Sequence, residues 1–178
     1  RQIFAVTVLL LRSSQNVLEH QTILKRQQGG SLGFCQNCTL CLASLTLFLL
    51  MIDLKHNILT WVRAGHEPAM VYHPHTSEIS TLKGDGLVLG LDRDWVYAEQ
   101  TSRELSAGTT ILIGTDGIWD VKNHADQRFG KQRVETLLKE STLLSAQDVI
   151  TAILGQTAAF RGKVEQNDGI TLLVLKFI

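Results

Sequence analysis

The sequence predicts an α+β domain in which helices cover an antiparallel β-sheet, and three observations support this fold class. Short apolar segments separated by polar turns fill residues 45–114, which is typical of strands joined in hairpins. Residues 131–154 then repeat apolar side chains at helical spacing. A last apolar segment, residues 170–178, returns as a strand. Strands, then helices and a returning strand are expected to pack as layers.

The composition indicates one ordinary globular domain. The chain has 178 residues, of which 44% are hydrophobic and 19% charged, far from a disordered composition. Lys and Arg number 17, as do Asp and Glu, so no basic field would attract nucleic acid or an anionic membrane surface. Three cysteines are too few for a disulfide scaffold, so we expect a reducing, cytoplasmic setting.

The first 44 residues differ in character from the rest. The chain begins at Arg1 without Met, which suggests a trimmed or partial sequence. Residues 3–11 are apolar like a short signal sequence, but no small-residue cleavage pattern follows, and a buried strand or helix start is favoured. Residues 38–52 are also apolar, but a bilayer span needs about 20 residues, so a core segment is predicted.

The cysteines lie in this N-terminal region. Cys35, Cys38 and Cys41 are separated by two residues each, a spacing that overlaps that of some iron–sulfur proteins. A nearby fourth cysteine is missing from the sequence, and the run is apolar, so we favour cysteines that behave as small hydrophobic residues.

The strands and helices can be placed in order from their composition. Apolar or β-branched runs bounded by turn residues predict strands at 45–52, 58–64, 70–73, 78–82, 96–103 and 109–114. One helix is predicted after Gly130, where Val134, Leu137 and Leu138 share a face. A second is predicted after Ser145, because an acidic residue three positions later resembles a capping box.

The residues best suited to chemistry are two Asp-Gly pairs next to apolar strands. Asp116 and Gly117 follow the strand at 109–114, and Asp168 and Gly169 precede the last strand. Each pair by itself is typical of an ordinary turn. Two aspartates beside adjacent central strands could converge on one hard cation, since carboxylate oxygens and water suit Mg²⁺ or Mn²⁺.

A histidine at a strand end is a further candidate. His66, between Gly65 and Glu67, could act as a base, a ligand or a phosphate contact. It could equally cap the turn through a hydrogen bond to the backbone. The sequence contains neither a phosphate-binding glycine-rich loop with Lys nor a serine nucleophile elbow.

Taken in chain order, the motifs resemble the C-terminal portion of the SpoIIE/RsbU-like branch of the PPM-type metal-dependent serine/threonine protein phosphatases. The motifs are Ala64-Gly65-His66-Glu67-Pro68, Gly86-Leu87-Val88-Leu89-Gly90-Leu91, Thr115-Asp116-Gly117, Phe129-Gly130 and Asp168-Gly169-Ile170-Thr171-Leu172-Leu173-Val174. The resemblance covers residues 45–178, whereas residues 1–44 show no match to it. We therefore predict a boundary between an atypical N-terminal segment and the C-terminal part of a phosphatase domain.

The resemblance implies a layered antiparallel β-sandwich flanked by helices, incomplete at its N-terminus, with a two-metal site at one edge. It implies Mn²⁺ or Mg²⁺ held by Asp116 and Asp168. It places Gly117 and Asp120 at the metals or beside their ligands, and His66 at the edge of the site or on the phosphate. No catalytic side chain is implied beyond a metal-activated water.

The resemblance also implies a substrate and a regulator. Metal-activated water would hydrolyse phosphoserine or phosphothreonine on a regulatory protein, in this branch commonly an anti-sigma-factor antagonist. An N-terminal sensor or receiver domain in the parent protein would control the activity. We expect no nucleic acid and no membrane among the partners.

One departure from the family pattern bears on activity. The family has an earlier acidic motif whose Asp bridges the two metals, but the first Asp of this sequence is Asp53. Two divalent cations about 3.5–4 Å apart repel each other and need a bridging ligand. We therefore expect weak or absent turnover from this chain by itself. The alternatives are a catalytically degenerate phosphatase-like module that binds a partner, and an unrelated β-sandwich with coincidental Asp-Gly turns.

Overall fold

The computed structural model describes residues 4–6, 46–54, 56–166 and 168–178. Within these ranges the chain forms eight strands and two helices. In chain order they are β1 (Phe4–Val6), β2 (Leu47–Asp53), β3 (Ile58–Ala64), β4 (Ala69–His73), β5 (Glu78–Leu82), β6 (Gln100–Ser102), β7 (Thr110–Gly114), α1 (Lys131–Glu140), α2 (Ala146–Arg161) and β8 (Leu172–Lys176).

The strands form two antiparallel sheets. The first has the order β1-β2-β3-β6, and the second has the order β5-β4-β7-β8. Two predicted hairpins are confirmed: β2 pairs with β3, and β4 pairs with β5. In the second sheet β7 lies between β4 and β8, so the last strand of the chain completes that sheet. The predicted α+β class with antiparallel sheets is confirmed.

A hydrophobic core fills the space between the two sheets. It takes alternate side chains from β2, β3, β4 and β7, because successive residues of a strand point to opposite faces. Its members are Phe48, Leu50, Ile52, Leu59, Trp61, Ala69, Val71, Leu82, Leu105, Ile111 and Ile113. Complete burial of an aliphatic or aromatic side chain of this kind contributes about 1.5–3 kcal/mol.

The two helices cover the other face of the second sheet. Alternate residues of β4, β7 and β8, among them Met70, Leu112 and Val174, face Val134 of α1 and Ile153 of α2. The order of layers is therefore first sheet, second sheet, helices. Since β7 is packed on both faces, all five of its residues are buried.

The second helix starts as the sequence predicts. The Ser145 hydroxyl accepts a hydrogen bond from the Asp148 amide at 3.2 Å and donates one to the Asp148 carboxylate at 2.6 Å. Such a cap stabilises a helix by about 1 kcal/mol because it satisfies an amide that has no partner within the helix. None of the helices in the described ranges is both long and apolar enough to cross a bilayer.

One predicted strand is shorter than expected. The strand predicted over residues 96–103 is confined to β6, which pairs with only three residues of β3. Val96 is 84% exposed, because no strand of the described sheets lies beside it. Residues 96–99 have a composition typical of a strand, but no neighbouring strand of the described sheets pairs with them. The predictions for residues 7–45, including the cysteine run, lie outside the described residues, and the boundary at residue 45 stays a prediction.

Candidate functional site

The end of β7 and the start of β8 lie side by side. The register pairs Gly114 with Leu172, the first residue of β8. Beyond this pair the Thr115 amide donates to the carbonyl of Thr171 at 3.0 Å, and the Thr171 amide donates to the Thr115 hydroxyl at 3.0 Å. The same hydroxyl donates to the carbonyl of Gly169 at 3.3 Å. These bonds join the two segments that carry the Asp-Gly pairs.

A tight turn follows Thr115, and its apolar side chains pack into the hydrophobic core. The Ile118 amide donates to the Thr115 carbonyl at 3.1 Å, and the Asp120 amide donates to the Asp116 carbonyl at 2.9 Å. Ile118 is fully buried and Trp119 is 6% exposed, both in the core under the helices. Because two apolar side chains fix this turn, Asp116 and Asp120 have defined positions at its surface.

Gly117 brings the second Asp-Gly pair against the first. The residue is buried, and a Cβ atom at this position would overlap the carbonyl oxygen of Gly169. The same Cβ would lie 3.6 Å from the Cβ of Asp168. Only glycine allows this approach, which puts the backbone of Asp116 and Asp168 on adjoining segments. Asp116 is half-buried, whereas Asp168 is exposed.

A small surface cavity of about 40 Å³ lies at this junction. Carboxylate, basic and apolar groups share its wall: Gly117, Asp120, Val121, Lys122, Arg161, Glu165, Gln166 and Asp168. Three of the predicted site residues, Gly117, Asp120 and Asp168, therefore meet there. Asp116 precedes Gly117 in the turn but is not part of the wall, so convergence of its carboxylate with that of Asp168 stays a prediction.

Two of the charged groups at this edge have partners of opposite charge. The Asp120 carboxylate accepts a hydrogen bond from the Arg128 guanidinium at 2.9 Å, in an ion pair exposed to solvent. The Lys122 ammonium donates to the Asp126 carboxylate at 2.7 Å. This hydrogen bond, together with the positive charge of Lys122, lowers the pKa of Asp126 below its usual value.

Sequence reasoning missed Arg161, Glu165 and Gln166. Arg161 is the last residue of α2, and its guanidinium donates to the Gln166 side-chain oxygen at 3.3 Å. The Gln166 side-chain amide in turn donates to the carbonyl of Asp168 at 2.8 Å. These three residues carry no motif, and the signal available in the sequence was only that Arg161 lies about seven residues before Asp168.

His66 occupies a different environment from the cavity. Its side chain is 4% exposed, and its ring packs edge-to-face against Phe48 with centroids 6.2 Å apart. The Nδ1 atom lies 2.9 Å from the carbonyl oxygen of Glu67, which can only accept, so Nδ1 carries the hydrogen. Within the described part of the chain Nε2 is buried without a hydrogen-bond partner. The geometry is that of the turn-capping alternative, and a phosphate contact by His66 stays a prediction.

The donor atoms at the cavity suit a hard divalent cation. Asp120, Glu165 and Asp168 offer carboxylate oxygens, which Mg²⁺ and Mn²⁺ prefer. Among the described residues, however, no three His, Cys, Asp or Glu side chains come close enough together to hold an ion. The described carboxylates thus have the right chemistry to bind a divalent cation. The remaining ligands of that cation would have to be water or groups outside the described ranges.

Two stacked antiparallel sheets with helices on one outer face have the architecture of the PPM-type (PP2C) phosphatase fold, and the paired Asp-Gly segments lie where β7 ends and β8 begins. The sequence pattern of the Stage II sporulation protein E (SpoIIE) family matches residues 10–178, and the chain belongs to this family. It is 26% identical over 132 residues to the phosphoserine phosphatase RsbU of Bacillus subtilis. That alignment takes 74% of this chain and 38% of RsbU, so the chain spans well under half of that relative.

Solved structures support the same fold. The SiaA PP2C domain of Pseudomonas aeruginosa superposes with a TM-score of 0.67 at 23% identity, over 76% of this chain and 53% of that one. The manganese-presoaked phosphatase domain of SpoIIE from Bacillus subtilis superposes with a TM-score of 0.57 at 16% identity, over 74% and 56% of the two chains. At these identities the superpositions establish the fold and not the chemistry of the site.

Proposed function

We propose that this chain contributes to a metal-dependent protein phosphatase that hydrolyses phosphoserine or phosphothreonine on a regulatory protein. The observation that carries the proposal is the junction of the two Asp-Gly segments, at the end of β7 and the start of β8. Three hydrogen bonds of Thr115 and the close approach of Gly117 to Gly169 hold that junction. Membership of the SpoIIE family supports the reaction class.

Asp116 and Asp168 are the residues proposed to hold Mn²⁺ or Mg²⁺. A bound divalent cation would supply a Lewis acid that lowers the pKa of water and offsets the charge of the phosphoryl oxygens. The manganese treatment of the similar SpoIIE domain supports this cofactor class. Asp120 is proposed to stand beside the ligands, where its ion pair with Arg128 fixes the orientation of its carboxylate.

The chain's own residues have positioning roles in this proposal. Ile118 and Trp119 anchor the first Asp-Gly turn in the core, so that Asp116 cannot move independently of β7. Asp168 lies exposed to solvent, where a phosphorylated side chain can reach it. The proposed substrate is a phosphorylated anti-sigma-factor antagonist, and an N-terminal sensor or receiver domain is the proposed regulator. The substrate, the regulator and a cytoplasmic location stay predictions.

The second candidate is a phosphatase-like module that binds a partner without turnover. The observation in its favour is that the described residues bring no three potential metal ligands together. Two carboxylates alone bind a divalent cation weakly, because Mg²⁺ and Mn²⁺ prefer about six oxygen ligands.

Calorimetric titration of Mn²⁺ into the full chain separates the two candidates. The phosphatase proposal predicts binding that Asp116→Asn and Asp168→Asn each weaken by about tenfold or more, since each removes one anionic ligand. Asp126→Asn is the matched control, because it removes an exposed carboxylate that is paired with Lys122 and lies outside the cavity wall.

The titration and an assay of phosphate release have further outcomes that decide between the two candidates. Absence of Mn²⁺ binding by the wild-type chain would favour the interaction module. Binding that both variants leave unchanged would exclude Asp116 and Asp168 as the ligands. Release of phosphate from a phosphoserine peptide with Mn²⁺ would exclude the interaction module, and its loss in both variants would assign the activity to this site.

A further inference from the structure

Arg161 stands at the boundary between two adjoining cavities. Its side chain lines the cavity that contains Asp120 and Asp168, and it also lines a second cavity of about 100 Å³ along α2. Val121 and Gln166 belong to both walls as well. Arg161 is half-buried and therefore borders the edge where Asp168 lies.

Two other basic groups near this edge, Lys122 and Arg128, are paired with carboxylates, whereas within the described ranges Arg161 is not. Lys122 pairs with Asp126 at 2.7 Å, and Arg128 pairs with Asp120 at 2.9 Å. Within the described ranges Arg161 donates only to the neutral amide of Gln166, at 3.3 Å, and forms no ion pair. A longer hydrogen bond to a neutral acceptor leaves most of the donor capacity of a guanidinium unused.

A basic residue at the end of a helix also has a structural explanation. Its charge interacts favourably with the negative end of the helix dipole, which requires a positive charge but no particular shape. Phosphate recognition requires more, because a planar guanidinium can donate two parallel hydrogen bonds to two phosphoryl oxygens. Lys and Arg are therefore equivalent for the interaction with the helix dipole, but they differ in phosphate recognition.

We propose that Arg161 binds the phosphoryl group of the substrate at the junction of the Asp-Gly segments. Gln166 holds the guanidinium toward this edge, since its side chain accepts from Arg161 and donates to the carbonyl of Asp168. Arg161 would add a positive charge at the edge where a divalent cation held by Asp116 and Asp168 would also offset the charge of the phosphoryl oxygens. This inference rests on the proposed function and adds a substrate-binding residue to it.

The test compares two affinities in the full chain and its variants. One is the affinity for Mn²⁺, measured by calorimetry. The other is the affinity of the Mn²⁺-loaded chain for a fluorescent peptide with one phosphoserine among glycine and alanine residues, measured by anisotropy. Arg161→Gln removes the charge, and Arg161→Lys keeps the charge but not the planar fork. Lys163→Gln is the matched control, because Lys163 is an exposed basic residue close to Arg161 that lines neither cavity.

We expect Arg161→Gln to weaken phosphopeptide binding by about tenfold or more, because the variant loses a charge-assisted hydrogen bond to the phosphate. Affinity for Mn²⁺ should stay the same or rise, because a positive charge near the carboxylates is removed. Arg161→Lys should recover only part of the phosphopeptide affinity, and Lys163→Gln should change that affinity by less than about threefold.

Three outcomes would decide against Arg161, and they can be distinguished from one another. Normal Mn²⁺ binding with unchanged phosphopeptide affinity in Arg161→Gln would overturn this inference and leave the proposed function intact. A parallel loss of both affinities, with a lower melting temperature, would show a purely structural role. Failure of the wild-type chain to bind Mn²⁺ would overturn the proposed function and this inference with it.

Discussion

The two Asp-Gly segments share the sequence Asp-Gly-Ile but differ in structure. Gly117 is buried, and a side chain there would overlap the backbone of the other segment. Gly169 is exposed, and a Cβ atom at that position would meet nothing within 4 Å. The preceding aspartates differ in the same direction, since Asp116 is half-buried and Asp168 is exposed.

This difference separates a segment fixed by packing from a segment presented to solvent. The first segment continues from a fully buried strand into Ile118 and Trp119 of the core. The second segment is held mainly by hydrogen bonds to Thr115 and Gln166. A ligand that needs both aspartates would therefore contact one half-buried carboxylate and one exposed carboxylate.

Substitution of the two glycines by alanine is expected to give the largest difference in the free energy of unfolding. Gly117→Ala should destabilise the chain by about 1–3 kcal/mol, because the new methyl group forces the Gly169 carbonyl away. Gly169→Ala should leave stability unchanged or raise it by up to about 1 kcal/mol, since the space is open and alanine restricts the unfolded chain.

Urea denaturation of the two glycine variants, followed by tryptophan fluorescence, measures this contrast. Trp61 and Trp119 are both buried, at 8% and 6% exposed, so the fluorescence change reports unfolding of the core around both sheets and the first segment. Equal destabilisation by both substitutions would contradict the distinction between a packed and a presented segment.

The hydroxyl that joins the two segments is expected to have an intermediate effect. Thr115→Val keeps the shape of the side chain but loses the hydrogen bonds to Gly169 and Thr171, at a cost of about 1 kcal/mol. Thr115→Ser keeps the hydroxyl and should cost less. Hydrogen exchange of the Thr171 amide provides the local measurement, and faster exchange is expected in the valine variant only. Equal exchange in the two variants would show that the hydroxyl does not join the segments.

The smallest effect is expected in the loop that follows the first segment. The pKa of Asp126 is lowered in the folded chain by Lys122, so the stabilisation from this pair is present at neutral pH. It should be lost as the pH falls through the lowered pKa, because the carboxylate then becomes protonated. Asp126→Asn should therefore lower the melting temperature slightly at pH 7 and not at all at strongly acid pH. A difference that persists at acid pH would assign the effect to something other than the ion pair.

Much of the fold was predictable because it depends on local patterns. Alternating apolar residues bounded by turn residues identified β3 and β5 with their observed ends. The serine and aspartate pair at the start of α2 identified a helix cap. The strand predicted over residues 96–103 was too long, because a strand also needs a pairing partner. Only three residues of this segment pair with β3.

The site was predictable only in part. The Asp-Gly pairs next to β7 and β8 were visible as motifs, and adjacency of the two strands brought their segments together. Arg161 carries no motif, and its place beside Asp168 follows from where α2 ends on the second sheet. His66 belongs to a recognisable motif, but its environment is set by Phe48 from another strand.

The sequence by itself determined which segments are strands and helices, and which residue types could bind a cation or a phosphate. These properties depend on side chains within a few residues of each other. Only the tertiary structure decided that one Asp-Gly segment is packed and the other exposed, and that Arg161 reaches the same edge. Those properties depend on which distant segments exclude water and neutralise charge, and neighbours along the chain do not specify them.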